Sequence, residues 1–222
     1  MSIPLKQIFN ISITKTLRMN FYYLPFREAI KIPIIVSRKV KIRLLKGAVN
    51  FNCQIETGLV KIGFDTLGII DYKHNRAIWE NNGIITFNGP IRIGAATKLV
   101  LLKGSSVIFG SKVSLTGSSN IIAEKEISIG DCCLISWDVQ IMDTDFHKIY
   151  NDSGLCINDP KSITIGDNVW IGSKVLILKG AEIPKNCIIA ANSTVVKRHS
   201  ELNAIYGGQP ATLLKRNIKW TI

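Results

Sequence analysis

The chain has 222 residues, enough for one domain or two, with 28 Lys and Arg against 16 Asp and Glu for a net charge of +12. No uncharged apolar run reaches the roughly 18 residues that a membrane-crossing helix needs, so none is expected. Five cysteines, an odd number, without Cys-x-x-Cys or Cys/His spacing, argue for a reducing compartment and against a disulfide framework or a bound metal.

In chain order, residues 1–46 carry ten basic residues (Lys6, Lys15, Arg18, Arg27, Lys31, Arg38, Lys39, Lys41, Arg43, Lys46) and one acid, Glu28, so +9 of the +12 sits there. The opening MSIPLKQIFN lacks the basic-then-apolar pattern of a secretion signal, which leads us to expect a cytoplasmic protein. Phe26 to Ile32, bracketed by Pro25 and Pro33, reads as a short helix. The segment is expected to be an amphipathic basic cap of short helices and a strand. Two readings stay open for its charge: a cap only, or a surface for an anionic membrane at the inner face. No recognition motif accompanies the charge, so nucleic acid is not expected as a partner.

From about Val60 to Gly130 a six-residue spacing comes and goes: Ile93 and Leu99 share one phase, Phe109, Leu115, Ile121 and Ile127 another, as if successive turns differed in length. The polar stretch Asp71–Asn82 reads as a loop or hairpin outside the repeat, with His74 as solvated surface. Ile129, Ile135 and Ile141 keep the phase up to DTDFH at 143–147. Residues 143–162 are rich in turn formers and read as a loop projecting from the repeat, a common place for function.

The repeat is tightest from Ile165 on: Ile165, Ile171, Ile177, Ile183, Ile189 and Val195 stand six apart, each preceded at two residues by Ile, Val, Val, Ala, Cys or Ser. A period of six is neither 3.6 nor 2; it marks a parallel β-helix in which three hexads close one triangular coil. Gly166, Asp167, Gly172 and Lys185–Asn186 are corner formers, and the cysteines fill repeat positions. The chain then divides into a cap (1–46), a coil (47–206) with its loop at 143–162, and a C-terminal turn and short basic helix (207–222).

His147 is the candidate base: an imidazole gains and loses a proton near neutrality, as deprotonation of a hydroxyl nucleophile requires. Asp145 is the preferred partner for its far ring nitrogen, with Asp143 and Trp137 on the acceptor side. His199, in a polar stretch, is not expected to be catalytic. Gly104–Lys112 is one residue too long for a phosphate-binding loop.

The segments NVWIG (168–172), AANS (190–193), GGQPA (207–211) and IMDTDFH (141–147), in this order, resemble the hexapeptide-repeat acyltransferase superfamily, over about residues 60–222 and nearest the sugar O-acetyltransferases of polysaccharide gene sets. The resemblance implies a left-handed coil, a homotrimer with its sites between subunits, and acetyl-CoA as co-substrate. It implies direct acetyl transfer to a sugar hydroxyl of a capsule, O-antigen or exopolysaccharide precursor, with His147 as general base. It also implies a CoA site that includes Trp170, Gly172, Ser173, Ala190, Ala191, Lys197, Pro210 and Lys215. Asn192 stands where the family usually has glycine, and Thr212 where arginine is frequent. The related γ-carbonic anhydrases need three metal-binding histidines; only His147 is suitably placed here, so no zinc is expected. Two rivals remain: an N-acyltransferase of an amino sugar nucleotide, and a non-catalytic trimeric β-helix scaffold.

Overall fold

The computed structural model describes residues 8–64, 68, 70–71 and 74–221. Lys6 of the leader, Tyr72 and Lys73 of the polar stretch, and Ile222 at the end lie outside the described residues. Among the described residues two short helices, α1 (Ile13–Tyr23) and α2 (Phe26–Ala29), lead into the strands. The strands then follow in threes. The first coil holds β1 (Ile34–Val36), β2 (Val40–Leu45) and β3 (Ala48–Phe51), and the second β4 (Val60–Phe64), β5 (Ala77–Asn81) and β6 (Ile84–Phe87). The third holds β7 (Ile91–Ala95), β8 (Lys98–Leu101) and β9 (Ser106–Phe109), and the fourth β10 (Val113–Gly117), β11 (Asn120–Ala123) and β12 (Glu126–Ile129). The fifth holds β13 (Leu134–Ile135), β14 (Gln140–Met142) and β15 (Ile163–Ile165), and the sixth β16 (Trp170–Ile171), β17 (Leu176–Leu178) and β18 (Glu182–Ile183). β19 (Ile188–Ile189) and β20 (Thr194–Val195) begin the seventh, and the hairpin β21 (Ile205–Gly208) and β22 (Ala211–Lys215) closes the chain.

Equivalent strands of successive coils pair in parallel and build three faces. Face one starts at β1 and ends at β22, face two runs from β2 to β20, and face three from β3 to β18. The hexad positions fill the interior. Ile165, Ile171, Ile177, Ile183, Ile189 and Val195, and the residues two before each, are all at most 2% exposed. They stack in register: Ile171 lies over Ile189 and Ile177 over Val195, each 18 residues on, which is three hexads. Earlier coils are longer: Leu99 pairs Ile121 at 22 residues and Ile121 pairs Ile141 at 20, so the slipping phase reflects coils of unequal length. Ile141 meets Ile177 only after 36 residues; the excess over a regular coil, 36 − 18 = 18, is the projecting loop.

The corners need a backbone that turns sharply. The left-handed conformation recurs at Asn168, Lys174, Gly180, Asn186 and Asn192, six residues apart. Asparagine tolerates that region better than most residues, which accounts for Asn192 in place of glycine. Gly172 answers a different need: a Cβ there would sit 2.6 Å from the Ala191 nitrogen of the next coil. At the corner between faces three and one the asparagines also form a ladder, Asn168 Nδ2 donating to Asn186 Oδ1 at 3.0 Å and Asn186 Nδ2 to Asn203 Oδ1 at 2.9 Å.

Three expectations need correction. The basic leader is not wholly a cap, because β1 and β2 already belong to the first coil. Composition could not separate them, since the outward positions of β2 carry Lys41 and Arg43 while Val40 and Leu45 are buried. The stretch 71–82 is not all loop: Ala77–Asn81 is a coil strand with Trp79 1% exposed, while before it His74 Nδ1 and Asp71 Oδ2 are 2.7 Å apart. Residues 211–215 form no helix; they pair antiparallel with β21, covering the edge that the last coil would leave open.

The opposite edge is closed by α1 and its cap residue, through two side chains and one main-chain N–H. Ile34 and Val36 point their outer N–H and C=O groups away from β4. Asn20 donates to the Ile34 carbonyl at 2.7 Å and accepts from its N–H at 3.1 Å. The Val36 N–H donates to Thr16 Oγ1 at 3.1 Å, and the Ser12 N–H donates to the Val36 carbonyl at 2.8 Å. Asn20→Ala should therefore cost about 2 kcal/mol, since two buried backbone groups lose their partners, against about 3 kcal/mol for Ile177→Ala in the stack; denaturant unfolding of both variants measures this. Burial pushes the Cys133 thiol up to about 12 and raises Cys187 as well. Alkylation at neutral pH followed by mass spectrometry should leave both unmodified until the chain unfolds.

Candidate functional site

His147 stands where face two turns toward face three and the chain leaves the coil. The departure is anchored from below. Asp143 is fully buried, and its carboxylate accepts from the N–H of Glu124 at 2.7 Å and of Lys125 at 2.9 Å. It therefore joins this corner to the preceding coil and is unavailable to an acceptor, a correction to its expected role. Thr144, also buried, donates to the Glu124 carboxylate and accepts from the Phe146 N–H at 2.9 Å. Phe146 takes a positive φ of 62°, a strained conformation for an aromatic residue, and delivers His147 to the surface.

Asp145 is placed differently from expectation. Its carboxylate accepts from Lys179 Nζ and from Asn158 Nδ2, the latter at 3.0 Å, while its main-chain carbonyl accepts from the His147 N–H at 2.7 Å. It fixes the backbone of His147 rather than meeting the imidazole. Lys179 first, then Asn158, holds the Asp145 carboxyl below its ordinary range. Sequence reasoning missed both. Asn158 Nδ2 also donates to the His147 carbonyl at 2.8 Å, and its Oδ1 accepts from the Ile149 N–H at 2.6 Å. Lys179 Nζ donates to the Asn158 carbonyl at 2.8 Å. In the Asn158-Asp159-Pro160 run, Asn158 reads only as a turn former. Lys179 had one signal: it lies one coil beyond Asp143, 179 − 143 = 36, the spacing of Ile141 and Ile177. Beyond this clamp the loop is a hairpin, with Tyr150 and Cys156 bridged and Lys148 paired to Asp159 at 3.1 Å. A shallow cleft against it is lined by Glu124, Asp145, Phe146, His147, Asn158 and Pro160.

The residues assigned to CoA gather mostly at another corner. Ser173 and Ala191 occupy successive levels where face one turns to face two, and Trp137 lies at the same corner one coil earlier. Gly172 abuts Ala191, and Gly207 approaches Ala190 so closely that a Cβ there would be 3.0 Å from the alanine's. The result is a column of small residues below the half-exposed Trp170. That indole donates to Ser136 Oγ at 3.2 Å and lies 6.0 Å from the Trp220 ring. Trp137 is half-buried, and its carbonyl accepts from the Lys174 N–H at 3.1 Å. Pro210 sits at the β21–β22 turn, beside Gln209, whose side chain donates to the Asn192 carbonyl at 2.8 Å. Exposed Lys215, at the end of β22, pairs with Ile205 of β21.

Lys197 does not join this column. It lies one coil beyond Lys179, on the corner of His147, and helps line a cleft with Arg198, His199, Tyr206 and Thr212. His199 there is nearly buried against the Tyr206 ring at 4.0 Å, and burial lowers its pKa. Within one chain, then, His147 and the small-residue column stand on two corners with face two between them. The six residue-to-residue steps from Trp137 to Asp143 span up to about 20 Å.

Residues 162–197 match the family model described as bacterial transferase hexapeptide (six repeats). A Klebsiella pneumoniae protein described as an uncharacterized 24.8 kDa protein in the cps region is 34% identical over 204 residues, 90% of this chain and 86% of that one. A polysialic acid O-acetyltransferase of Escherichia coli O1:K1 / APEC is 34% identical over 124 residues, 55% of this chain and 40% of the relative, so the match spans well under two thirds of that enzyme. Among solved structures, the polySia specific acetyltransferase NeuO superposes with a TM-score of 0.55 at 25% identity, covering 83% of this chain and 89% of that one.

Replacing Lys179 by Met should loosen the hairpin. Amide exchange at Ile149 and Ile157 is expected to rise about tenfold or more while that at Ile141 and Ile177 stays unchanged. Because the folded value for Asp145 is depressed, the clamp is complete above the unfolded carboxylate value and is lost as pH falls through the lower one. Protection of the two loop amides should thus persist down to about pH 4 and fade below it.

Proposed function

This chain belongs to the hexapeptide-repeat acyltransferase superfamily, built on the left-handed parallel β-helix, and on that footing we propose that it is an acetyl-CoA-dependent O-acetyltransferase acting on a sugar hydroxyl of a surface-polysaccharide precursor. The observation that carries the reading is the exposed His147, brought out of the coil on a clamped, strained backbone beside a small cleft lined by Glu124, Asp145 and Asn158. The polysaccharide O-acetyltransferases among its relatives support the substrate class.

The chemistry follows from the side chains. The neutral imidazole of His147 accepts the proton of the acceptor hydroxyl as its oxygen attacks the thioester carbonyl. The imidazolium then returns the proton to the departing thiolate, and no covalent enzyme intermediate is required. The clamp on Asp145 and Asn158 fixes the main chain from which the ring projects, and such positioning contributes to catalysis alongside basicity. On the donor side, Gly172, Ser173, Ala190 and Ala191 let a ligand approach the backbone closely, and Trp170 offers an apolar wall. Lys215 is an exposed cation suited to phosphate, as is Lys197 on the corner of His147.

The separation of base and donor corners supports a homotrimer, in which His147 of one chain faces the small-residue column of the next. The acyl donor is made in the cytoplasm, and we place the enzyme there.

Release of free CoA thiol from acetyl-CoA, with hydroxyl and amino sugars, nucleotide sugars and oligosaccharides as acceptors, tests the reading. His147→Ala should lower turnover by about 100-fold or more while calorimetric CoA binding survives. Turnover with amino acceptors alone would move the assignment to N-acyl transfer. Absence of both CoA binding and turnover would leave a scaffold.

A further inference from the structure

Helix α1 is amphipathic in the reverse of the usual sense. Its inner face carries Thr16, Met19 and Asn20, preceded by the cap residue Ser12, and these polar groups are consumed in closing the β1 edge. Its outer face carries Ile13, Leu17 and Phe21, four residues apart and all exposed, Ile13 to 71%. The stripe continues across Pro25. The Phe21 and Phe26 rings are 5.9 Å apart, and exposed Ile30 lies one turn beyond Phe26. Phe9, just before the helix, is 79% exposed. An apolar row of this length on a soluble face marks a surface that meets something.

The charge around the row says what. Arg18, Arg27 and Lys31 are exposed and form no ion pair among the described residues, and Glu28 is the sole acid between residues 8 and 46. Lys15 is not part of this set, since its ammonium donates to the carbonyls of Arg38 and Val40 at 2.8 and 2.7 Å. A second copy using the same face would set these cations against their own equivalents. Among the described residues no helix is long and apolar enough to cross a membrane, and α1 at 11 residues is about 16 Å long, so it can lie along a surface but not span one.

We propose that the outer face of α1 and α2 is an interfacial anchor for a lipid bilayer bearing anionic headgroups. The apolar side chains enter the boundary of the acyl chains while Arg18, Arg27 and Lys31 remain at headgroup level. The anchor sits at the first coil, and His147 leaves the fifth, four coils further along the stack.

Sedimentation of the full chain with phosphatidylcholine vesicles, with and without phosphatidylglycerol, tests this. Binding is expected only to the anionic vesicles, weakening with salt. The double variant Leu17→Asp, Phe21→Asp should bind about tenfold or more weakly. Both positions are exposed, so its circular dichroism and melting should match the parent. His147→Ala should bind as the parent does, which keeps this result separate from the catalytic reading. Failure to bind anionic vesicles, or binding undiminished in the double variant, would overturn the proposal. So would a change in oligomeric mass of the double variant in lipid-free solution, which would make the face a contact between copies.

Discussion

A stack of parallel coils satisfies every interior strand and leaves two edges open, and much of this molecule is arranged around closing them. Each coil donates and accepts on both sides through its neighbours; the first and last have one neighbour only. At the far end the chain folds back and lays β22 against β21. At the near end no further strand is available, and Ser12, Thr16 and Asn20 of a helix take its place, group for group. Using the polar side of α1 in this way fixes its orientation and obliges its apolar side to face outward. One backbone requirement thus shapes a surface that the interior packing never touches.

The same register governs the candidate site. Because each coil repeats the last, an insertion at one corner cannot propagate; the next coil resumes at Ile163 as though nothing intervened. The loop is therefore free to differ from the repeat. Its root, though, is tied to coils on both sides, to Glu124 and Lys125 through Asp143 and to Lys179 through Asp145. His147 is held on an arm that is rigid where it leaves the coil and exposed where it ends. The triangular section also keeps it from the small-residue corner, with face two between them.

The repeat was legible because inward positions recur every six residues, and all twelve from Ile163 to Val195 are buried. The two aspartates were not separable by type. Asp143 and Asp145 are chemically alike and two residues apart, yet one lies inside the corner bonded to backbone amides and the other outside bonded to Lys179 and Asn158. The partners that distinguish them come from other coils, at separations no local pattern reports. Lys179 is visible only once the 36-residue coil is known, and Asn158 only once the hairpin is folded.

What the sequence determined alone is the periodic part: the β-helix, its uneven early coils, the loop, and His147 as the base to test. These follow from hexad spacing and residue chemistry, which are local. Only the tertiary structure decided where the coil begins, that residues 211–215 are strand rather than helix, that Asp143 is structural, and which side of α1 faces out. Each of these depends on which backbone groups another segment leaves unpaired, a quantity set by the assembled coil and absent from any stretch of residues read singly.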